Sequence, residues 1–521
     1  MKRMLALVLC FALVLSGCGA RNALGFSNIV KFEDMEYTRP DMIAVRDAAE
    51  NAMDSWETAR NSEEVMDAVW EFFAQYEAFG TAYDLAYVHY HTWQNDIYWQ
   101  AEYEFCAENA PTLDLYLESI YCALAQSPYR EELEAEYFGE GWFESYENSV
   151  YDETLAIMMA EEESLIDRYY DMTAEAADME EAEFYDTCAL PLAQLLGELV
   201  SHRQEIAGYT GYDSYTDFAW DFYYYRDYTP AQAQEYLDEL RVLVPLYEAL
   251  CNGDRFAVAG EPCSEDAVFQ YVQSAAKEMG GEIWEAFRLL DQGELADIGV
   301  SKHKSGLSFE LYFSQYAQPY ILIDGTGTRE DCLVFAHEFG HFATDYAAAG
   351  SMAGIDVMEV FSQAMELLSL RYAEGGEDLS QMKLADALCT LMEQAAYAAF
   401  EQALYALPED RLTGENILAL YREICSAYGF AATADWDPRD LVTVPHFYSN
   451  PLYVISYVVS GDAALQLYDL EEQTPGTGRD LFQACLDTEE SYFLAFLEEA
   501  GLESPFDRVD AVKKLMETQL G

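Results

Sequence analysis

The segment 331–348, DCLVFAHEFGHFATDYAA, contains a His-Glu-x-x-His motif that runs from His337 to His341. Residues four apart lie on one face of a helix, so both imidazoles can reach one metal ion. Glu338 is offset around the helix and can reach a metal-bound water, which makes it a candidate general base. The chain has only seven histidines, so chance is a poor explanation for this motif. The sequence therefore predicts a metal site on a helix.

The residues before the motif predict two strands and the start of the metal helix. Leu307–Phe313 and Tyr320–Ile323 are short runs of aromatic and β-branched residues, separated by a turn-prone stretch that contains Pro319. Thr328 followed by Asp331 resembles an N-cap with an acidic partner three residues later. We therefore expect the metal helix to run from there to about residue 348, beneath a pair of strands.

The third ligand of such a site lies farther along the chain. A catalytic zinc site takes three protein ligands and keeps one open position. The three-histidine arrangement of the metzincins is excluded, because Thr344 and Ala347 occupy the positions that it would need. Glu359 and Glu366 are seven residues apart and lie on one face of a following helix. Either carboxylate could complete the site.

Helical periodicity dominates the N-terminal half and predicts a mostly α fold. Between residues 42 and 250, apolar residues recur at spacings of three and four, as one buried helical face requires. The clearest series is Val65, Val69, Phe72, Phe73, Tyr76 and Phe79. The turn glycines of Arg203–Tyr228 mark a border. We expect an N-terminal helical region over residues 18–202 and a catalytic region over residues 203–521.

The composition excludes some classes of partner. The 521 residues carry 96 acidic and 27 basic side chains, for a net charge of −69. Such a field repels phosphate backbones and anionic lipid surfaces, so nucleic-acid binding is excluded. It should instead attract cationic peptides over long distances. The alternative is that the charge merely solvates the surface. We expect a monomer.

The first eighteen residues predict export and a lipid anchor. Lys2 and Arg3 precede an apolar run over residues 4–15, which is too short to span a bilayer. The sequence Leu-Ser-Gly-Cys that follows resembles a bacterial lipobox. Residues 1–17 then form a lipoprotein signal peptide, and Cys18 is the lipidated first residue of the mature chain. An extracytoplasmic protein that contacts the membrane only through this lipid is expected.

The cysteine count does not predict a disulfide framework. Without Cys10 and Cys18 nine cysteines remain, which cannot all pair. Cys251 and Cys263 flank a loop and form the one local pair that the spacing suggests. No CxxC motif is present, which disfavours a cysteine-built zinc site.

Three motifs together resemble the oligoendopeptidase F and thimet oligopeptidase family of zinc peptidases. They are HEFGH, the downstream Glu359-x-x-Ser362 run that continues to Glu366-Leu-Leu, and the pair PHFY (445–448) and PLYVISY (451–457). The resemblance implies an elongated, mostly helical fold with a deep substrate channel and a small sheet beside the metal helix. It also implies an endopeptidase of short peptides with one Zn²⁺ per chain.

The same resemblance implies roles for single residues. Glu359 becomes the third ligand beside His337 and His341, and Ser362 and Glu366 become its supports. The catalytic residues are then Glu338 as general base, with His446, Tyr453 and Tyr457 as candidate donors to the oxyanion. Two departures from the family stand out: the short interval between His341 and Glu359, and Ile455 in place of a tyrosine.

Two other functions compete with this interpretation. A zinc aminopeptidase would need a site for the free α-amine of its substrate, and the sequence shows no recognisable motif for one. An inactive peptide-binding lipoprotein on the same scaffold would have lost Glu338 or a ligand. All the motif residues are present.

Overall fold

The computed structural model describes residues 29–520, except residues 140, 145, 147–152, 177–178, 252–255, 257, 351–352, 434–435 and 489. The proposed lipidation site, Cys18, lies outside the described residues. The first helices are α1 (Met42–Thr58), α2 (Ser62–Thr92), α3 (Ile97–Ala125), α4 (Arg130–Leu133), α5 (Glu153–Glu175), α6 (Glu181–Tyr209), α7 (Tyr215–Phe218), α8 (Pro230–Leu240), α9 (Val244–Leu250), α10 (Glu265–Met279) and α11 (Gly281–Gly293).

Three strands separate this helical half from the metal helix. They are β1 (Ala296–Asp297), β2 (Phe309–Phe313) and β3 (Gln318–Leu322). The later helices are α12 (Asp331–Ala348), α13 (Ile355–Tyr372), α14 (Ser380–Tyr405), α15 (Gly414–Ala427), α16 (His446–Ser449), α17 (Ile455–Gln473), α18 (Thr477–Cys485), α19 (Phe493–Ala500) and α20 (Val509–Leu520). In the part of the chain that the structure describes, helices and one small sheet make up the fold, which confirms the predicted class.

Side-chain caps explain where several helices begin. The Asp41 carboxylate accepts hydrogen bonds from the backbone N–H groups at the start of α1, and Asp96 does the same for α3. Asn61 accepts from the backbone of Glu64 at the start of α2. Each cap satisfies N–H groups that the first turn of a helix leaves without a partner.

The predicted apolar face of α2 is buried. Its six aromatic and branched residues are each at most 5% exposed. They belong to a cluster built by α1–α4, whereas the helices from α5 onward bury their apolar side chains in a second and larger core. The second core surrounds the metal helix.

The sheet lies beside the metal helix with the strand order β1-β3-β2. β1 runs parallel to β3, and β2 runs antiparallel to it with Phe309 opposite Leu322. Both β2 and β3 pack against α12, while β2 also contacts α2. The predicted strand pair is confirmed, whereas the two-residue β1 is too short to leave a pattern in the sequence.

Two local predictions need correction. Pro319 lies within β3, opposite Tyr312, rather than in the turn; β1 reaches only Ile321 and Leu322, so Pro319 has a neighbouring strand on one side alone. The expected cap also differs. Asp331 accepts from the backbone N–H of Gly327 and Thr328, but the helix begins at Asp331 itself, without a side-chain cap from Thr328.

The suggested pairing of Cys251 with Cys263 is wrong. Both cysteines are free in the structure. The backbone N–H of Cys263 donates to the carbonyl of Gly327, and its Sγ lies 4.0 Å from Sγ of Cys332. Pairing with the segment before α12 thus places Cys263 beside Cys332 instead of Cys251.

None of the described helices combines the length and the hydropathy that crossing a membrane requires.

Candidate active site

A glycine sets the distance between the two helices that carry the candidate ligands. Gly340 of α12 faces α13 so closely that a Cβ atom would lie 2.6 Å from the carbonyl oxygen of Phe361 and 2.6 Å from Cα of Ser362. Any side chain at this position would therefore push the helices apart. The glycine of HEFGH brings both histidines up to Glu359.

The structure brings His337, His341 and Glu359 together. One potential ligand atom from each lies within 4.8 Å of the others. Oε2 of Glu359 is 3.6 Å from Nε2 of His337 and 3.9 Å from Nε2 of His341. Two imidazole nitrogens and a carboxylate oxygen suit Zn²⁺, and a fourth position is left for water or substrate.

Two hydroxyls hold the Glu359 carboxylate. Tyr453 donates to Oε1 over 2.8 Å, and Ser362 donates to Oε2 over 3.0 Å. Glu359 itself is 4% exposed. A buried carboxylate with both oxygens hydrogen-bonded has little freedom to rotate, so its lone pairs stay directed at the two histidines.

A second acid and a cation hold the His337 ring from the other side. Nδ1 of His337 lies 2.8 Å from Oε1 of Glu366, and Nζ of Lys383 lies 2.5 Å from Oε2 of the same carboxylate. The Lys383 ammonium also contacts Asp386 at 2.9 Å. This series of contacts, from Asp386 through Lys383 and Glu366, fixes the tautomer in which Nε2 of His337 faces the metal position.

The electrostatics of the two histidines differ. Burial lowers the pKa of His337, but the hydrogen bond to Glu366 and the surrounding carboxylates outweigh burial and raise the pKa to about 9. Burial lowers the pKa of His341 to about 4. Burial disfavours a charged Glu366, yet Lys383 and His337 outweigh it and keep the pKa below its ordinary value.

Glu338 lies on the same helix and is 9% exposed. Burial raises the pKa of its carboxyl to about 7, and the negative charges of Glu359 and Glu366 act in the same direction. The backbone of Glu310 on β2 hydrogen-bonds to this carboxyl and opposes the rise. A carboxyl poised near neutral pH can both accept and return a proton.

A second carboxyl pair lies beside Glu338. The side chain of Glu310 hydrogen-bonds to Asp345, one turn beyond His341 on α12. Burial and the charge of Asp345 raise the pKa of Glu310 well above its ordinary range. Burial between β2 and α12 therefore favours a protonated Glu310, because a pair of bare charges there would be costly.

His446, Tyr453 and Tyr457 form an aromatic cluster next to Glu359. The ring centroids of Tyr453 and Tyr457 are 5.1 Å apart, and the His446 ring lies 5.7 Å and 6.2 Å from them. Tyr453 is 7% exposed, and burial raises its pKa well above the ordinary value, so its hydroxyl keeps its proton. His446 and Tyr457 carry groups that can donate a hydrogen bond, whereas the single O–H of Tyr453 is engaged by Glu359.

A buried network holds the backbone just before Tyr453. Leu452 has φ +63°, a left-handed conformation that costs about 1 kcal/mol or more for a branched residue. Its N–H donates to Glu401 over 2.6 Å and its carbonyl accepts from Arg226 over 2.9 Å. Arg226 also pairs with Asp356, one turn before Glu359. The tyrosine segment and the ligand helix are therefore fixed to each other.

Gly340, Arg226 and Lys383 are among the residues of this site that were not predicted from the sequence. No local pattern marks Gly340 as a position of close approach, and Arg226 lies in a stretch whose glycines indicate only a border. Lys383 does carry a signal, because a cation in the Ala- and Leu-rich start of α14 indicates a buried ion pair. Tertiary contacts between distant segments define all three positions.

Two protein-family models match this chain. A model described as the Peptidase M3 N-terminal domain matches residues 32–151, and one described as Peptidase family M3 matches residues 295–508. Together the two models match well over half of the chain. A search of curated proteins returned no significant match.

Solved structures share the fold. One assigned as oligoendopeptidase F has a TM-score of 0.81 at 22% identity, covering 94% of this chain and 98% of that chain. PZ peptidase A with an inhibitor has a TM-score of 0.81 at 20% identity, and the match covers 94% of this chain and 99% of that chain. A protein assigned as oligoendopeptidase F from Bacillus anthracis has a TM-score of 0.77 at 22% identity, and the match covers 95% of this chain and 98% of that chain. At these identities the likeness shows the fold.

Proposed function

This chain belongs to peptidase family M3 and is a metalloendopeptidase, and we propose that it hydrolyses short peptides outside the cytoplasm with one bound Zn²⁺. The observation that carries the proposal is the convergence of His337, His341 and Glu359 within 4.8 Å, with Glu338 buried on the same helix. Nε2 of each histidine and one oxygen of Glu359 would hold the metal.

When bound, zinc lowers the pKa of a coordinated water and polarises the scissile carbonyl. Glu338 accepts the proton of the attacking water at its carboxylate and later passes it to the leaving amine. Its buried position, which raises the pKa to about 7, suits both transfers. General-base catalysis of this kind contributes about 10²–10⁴ in rate.

His446 and the two tyrosines are proposed to stabilise the developing oxyanion. Tyr453 and Tyr457 lie beside Glu359, and the His446 ring centroid lies 5.7 Å and 6.2 Å from theirs. An imidazole or hydroxyl that is already oriented needs little reorganisation when charge develops, whereas the Tyr453 hydroxyl must first release Glu359. Its contribution then appears in kcat rather than in KM.

The proposed location rests on the N-terminal segment. The positive start, the short apolar run and the Leu-Ser-Gly-Cys sequence support a lipoprotein with Cys18 as its anchor. Mass spectrometry of the mature chain from its native membrane tests this directly. A diacylated or triacylated N-terminal cysteine supports the anchor, and an unmodified soluble chain refutes it.

The activity is tested with the Glu338→Gln variant and a peptide that is blocked at its N-terminus. The parent enzyme should cleave the blocked peptide and carry one zinc per chain by elemental analysis. The variant should keep its zinc and lose about 10²-fold or more in kcat. Cleavage of free but not blocked peptides would favour an aminopeptidase. Full activity of the variant would remove Glu338 from the mechanism.

A further inference from the structure

A cavity of about 240 Å³ opens beside the metal position, on the side of His337 that faces Glu366. We call it the Lys383 pocket. It lies between α13, α14 and α17, with His337 and Tyr457 at the end nearest the candidate ligands. Its volume suits one side chain rather than a whole peptide. A residue of a bound peptide next to the scissile bond could therefore enter it.

The walls of the Lys383 pocket are apolar along part of their length. Leu367, Leu391 and Leu465 line it and are each at most 3% exposed. Gly461 of α17 also lines it, and a Cβ there would lie 2.9 Å from Oε1 of Gln363. The glycine thus leaves room where any other residue would narrow the cavity. These walls suit an aliphatic stem.

The polar groups of the pocket are mostly acceptors. Oε1 of Gln394 is buried and has no hydrogen-bond partner within the described part of the chain. Gln363 donates through Nε2 to Ser460 over 2.7 Å, which leaves its Oε1 as an acceptor near Gly461. A buried acceptor without a donor costs about 1–3 kcal/mol. A ligand that brings N–H groups would recover this cost.

The charges of the pocket also favour a donor. Glu366 and Asp386 provide two carboxylates, and Lys383 provides one ammonium that contacts both, at 2.5 Å and 2.9 Å. When His337 is neutral, as binding a metal through Nε2 requires, these groups leave one negative charge in excess. Asp386 keeps 43% of its side chain exposed, so a second cation can reach it. A substrate carboxylate would meet repulsion from both acids.

We propose that the Lys383 pocket binds a lysine side chain of the peptide substrate, at a position adjacent to the scissile bond. The apolar walls contact the aliphatic stem, and the ammonium donates to Asp386 and to Oε1 of Gln394. This assignment rests on the proposed peptidase function and adds a substrate class to it. It predicts a local preference for lysine, distinct from the long-range attraction of an acidic protein.

The preference is measured with internally quenched peptides that carry lysine, norleucine, glutamine or glutamate at one position on either side of the scissile bond. At one of the two positions, kcat/KM for lysine should exceed that for norleucine by about tenfold, and glutamate should be worst. Asp386→Asn and Gln394→Leu should each reduce the ratio of lysine to norleucine severalfold. Equal ratios in the parent and in both variants would overturn the assignment.

Two further measurements distinguish binding in the pocket from a general effect of charge. Asp410→Asn removes an exposed charge outside the pocket and should leave the ratio of lysine to norleucine unchanged. If the lysine preference came only from the overall negative charge, both aspartate variants would reduce the ratio equally, and added salt would lower it. Calorimetric binding of the same peptides to Glu338→Gln gives the ratio without turnover. If no peptide is hydrolysed but the Kd ratio persists and depends on Asp386, the proposed function fails and the pocket stands. A Kd ratio near one overturns the pocket alone.

Discussion

The hydroxyl of Tyr453 donates a 2.8 Å hydrogen bond to Oε1 of Glu359, although 94 residues separate the two in sequence. The tyrosine thus orients a candidate ligand. Because its hydroxyl has a single proton, Tyr453 can donate to an oxyanion only by releasing Glu359, so under the proposed mechanism the two roles alternate.

Tyr453→Phe should lower kcat by about 10²–10³ with a smaller change in KM, because under the proposed mechanism the hydroxyl turns from Glu359 to the oxyanion as charge develops. Steady-state kinetics with zinc content measured in parallel check this. Tyr448→Phe is the matched control, since the Tyr448 hydroxyl is buried without a hydrogen-bond partner among the described residues. Equal kinetics for the two variants would contradict the role of Tyr453.

Glu366→Gln should weaken zinc binding by about 10–100-fold, because the carboxylate that holds Nδ1 of His337 is lost. Glu359→Ala, which removes a candidate ligand itself, should weaken it further. Competition with a chromophoric chelator gives both affinities. Glu377→Gln removes an exposed acid beyond the end of α13 and should bind zinc like the parent. Unchanged affinity in Glu366→Gln would show that Glu366 does not support the site.

Gly340→Ala should destabilise the protein by about 1–3 kcal/mol and reduce its zinc content, since the new Cβ would overlap the backbone of α13. Gly80→Ala provides the opposite control. Gly80 lies inside α2, and among the described residues a Cβ there would meet nothing within 4 Å beyond its chain neighbours and its own helix backbone, so alanine should stabilise by up to about 1 kcal/mol. Chemical denaturation compares them, and a neutral Gly340→Ala would refute the close approach.

Glu118 should make the protein less stable as the pH rises. Burial, aided by Asp114, raises its pKa from 4.5 to about 8, so the folded chain binds more protons than the unfolded chain between these values. Its contribution is complete below pH 4.5 and is lost as the pH rises to 8, at most about 1.4 kcal/mol per pH unit.

The Glu118→Gln variant tests this through melting temperatures at pH 5 and pH 8. Relative to the parent, the variant should gain stability at the higher pH. Glu108→Gln, an exposed change on the same helix, should shift both temperatures equally. Parallel behaviour of all three proteins would show that Glu118 is not buried as a neutral acid.

The sequence predicted the parts of the fold that depend on local pattern. The spacing of Val65, Phe72 and Phe79 indicates a buried helical face, and the short aromatic runs around Phe309 and Tyr320 indicate strands. These signals are local because helical and strand periods are properties of neighbouring residues. Asp331 bonds to Gly327 and Thr328, and Pro319 pairs with Tyr312, so both differences lie in turn and strand geometry that the residue types alone do not specify.

The candidate site was predictable to a similar extent. The position of His337 and His341 on one helix follows from their spacing, and the choice of Glu359 came from a family resemblance. Nothing in the spacing shows that Gly340 contacts α13, or that Lys383 lies behind Glu366. Such contacts arise only when helices from separate segments pack, so a single sequence gives them no periodic signal.

The three candidate ligands come from two helices, α12 and α13, whose approach Gly340 permits. The unfolded chain does not hold them together, so a metal that binds this arrangement stabilises the folded state by mass action. At a free concentration one hundred times Kd, the gain is about 2.7 kcal/mol. Two preparations that differ only in metal content should therefore melt at different temperatures. Under the proposed zinc binding, a thermal melt of this protein is also an assay of its metal occupancy.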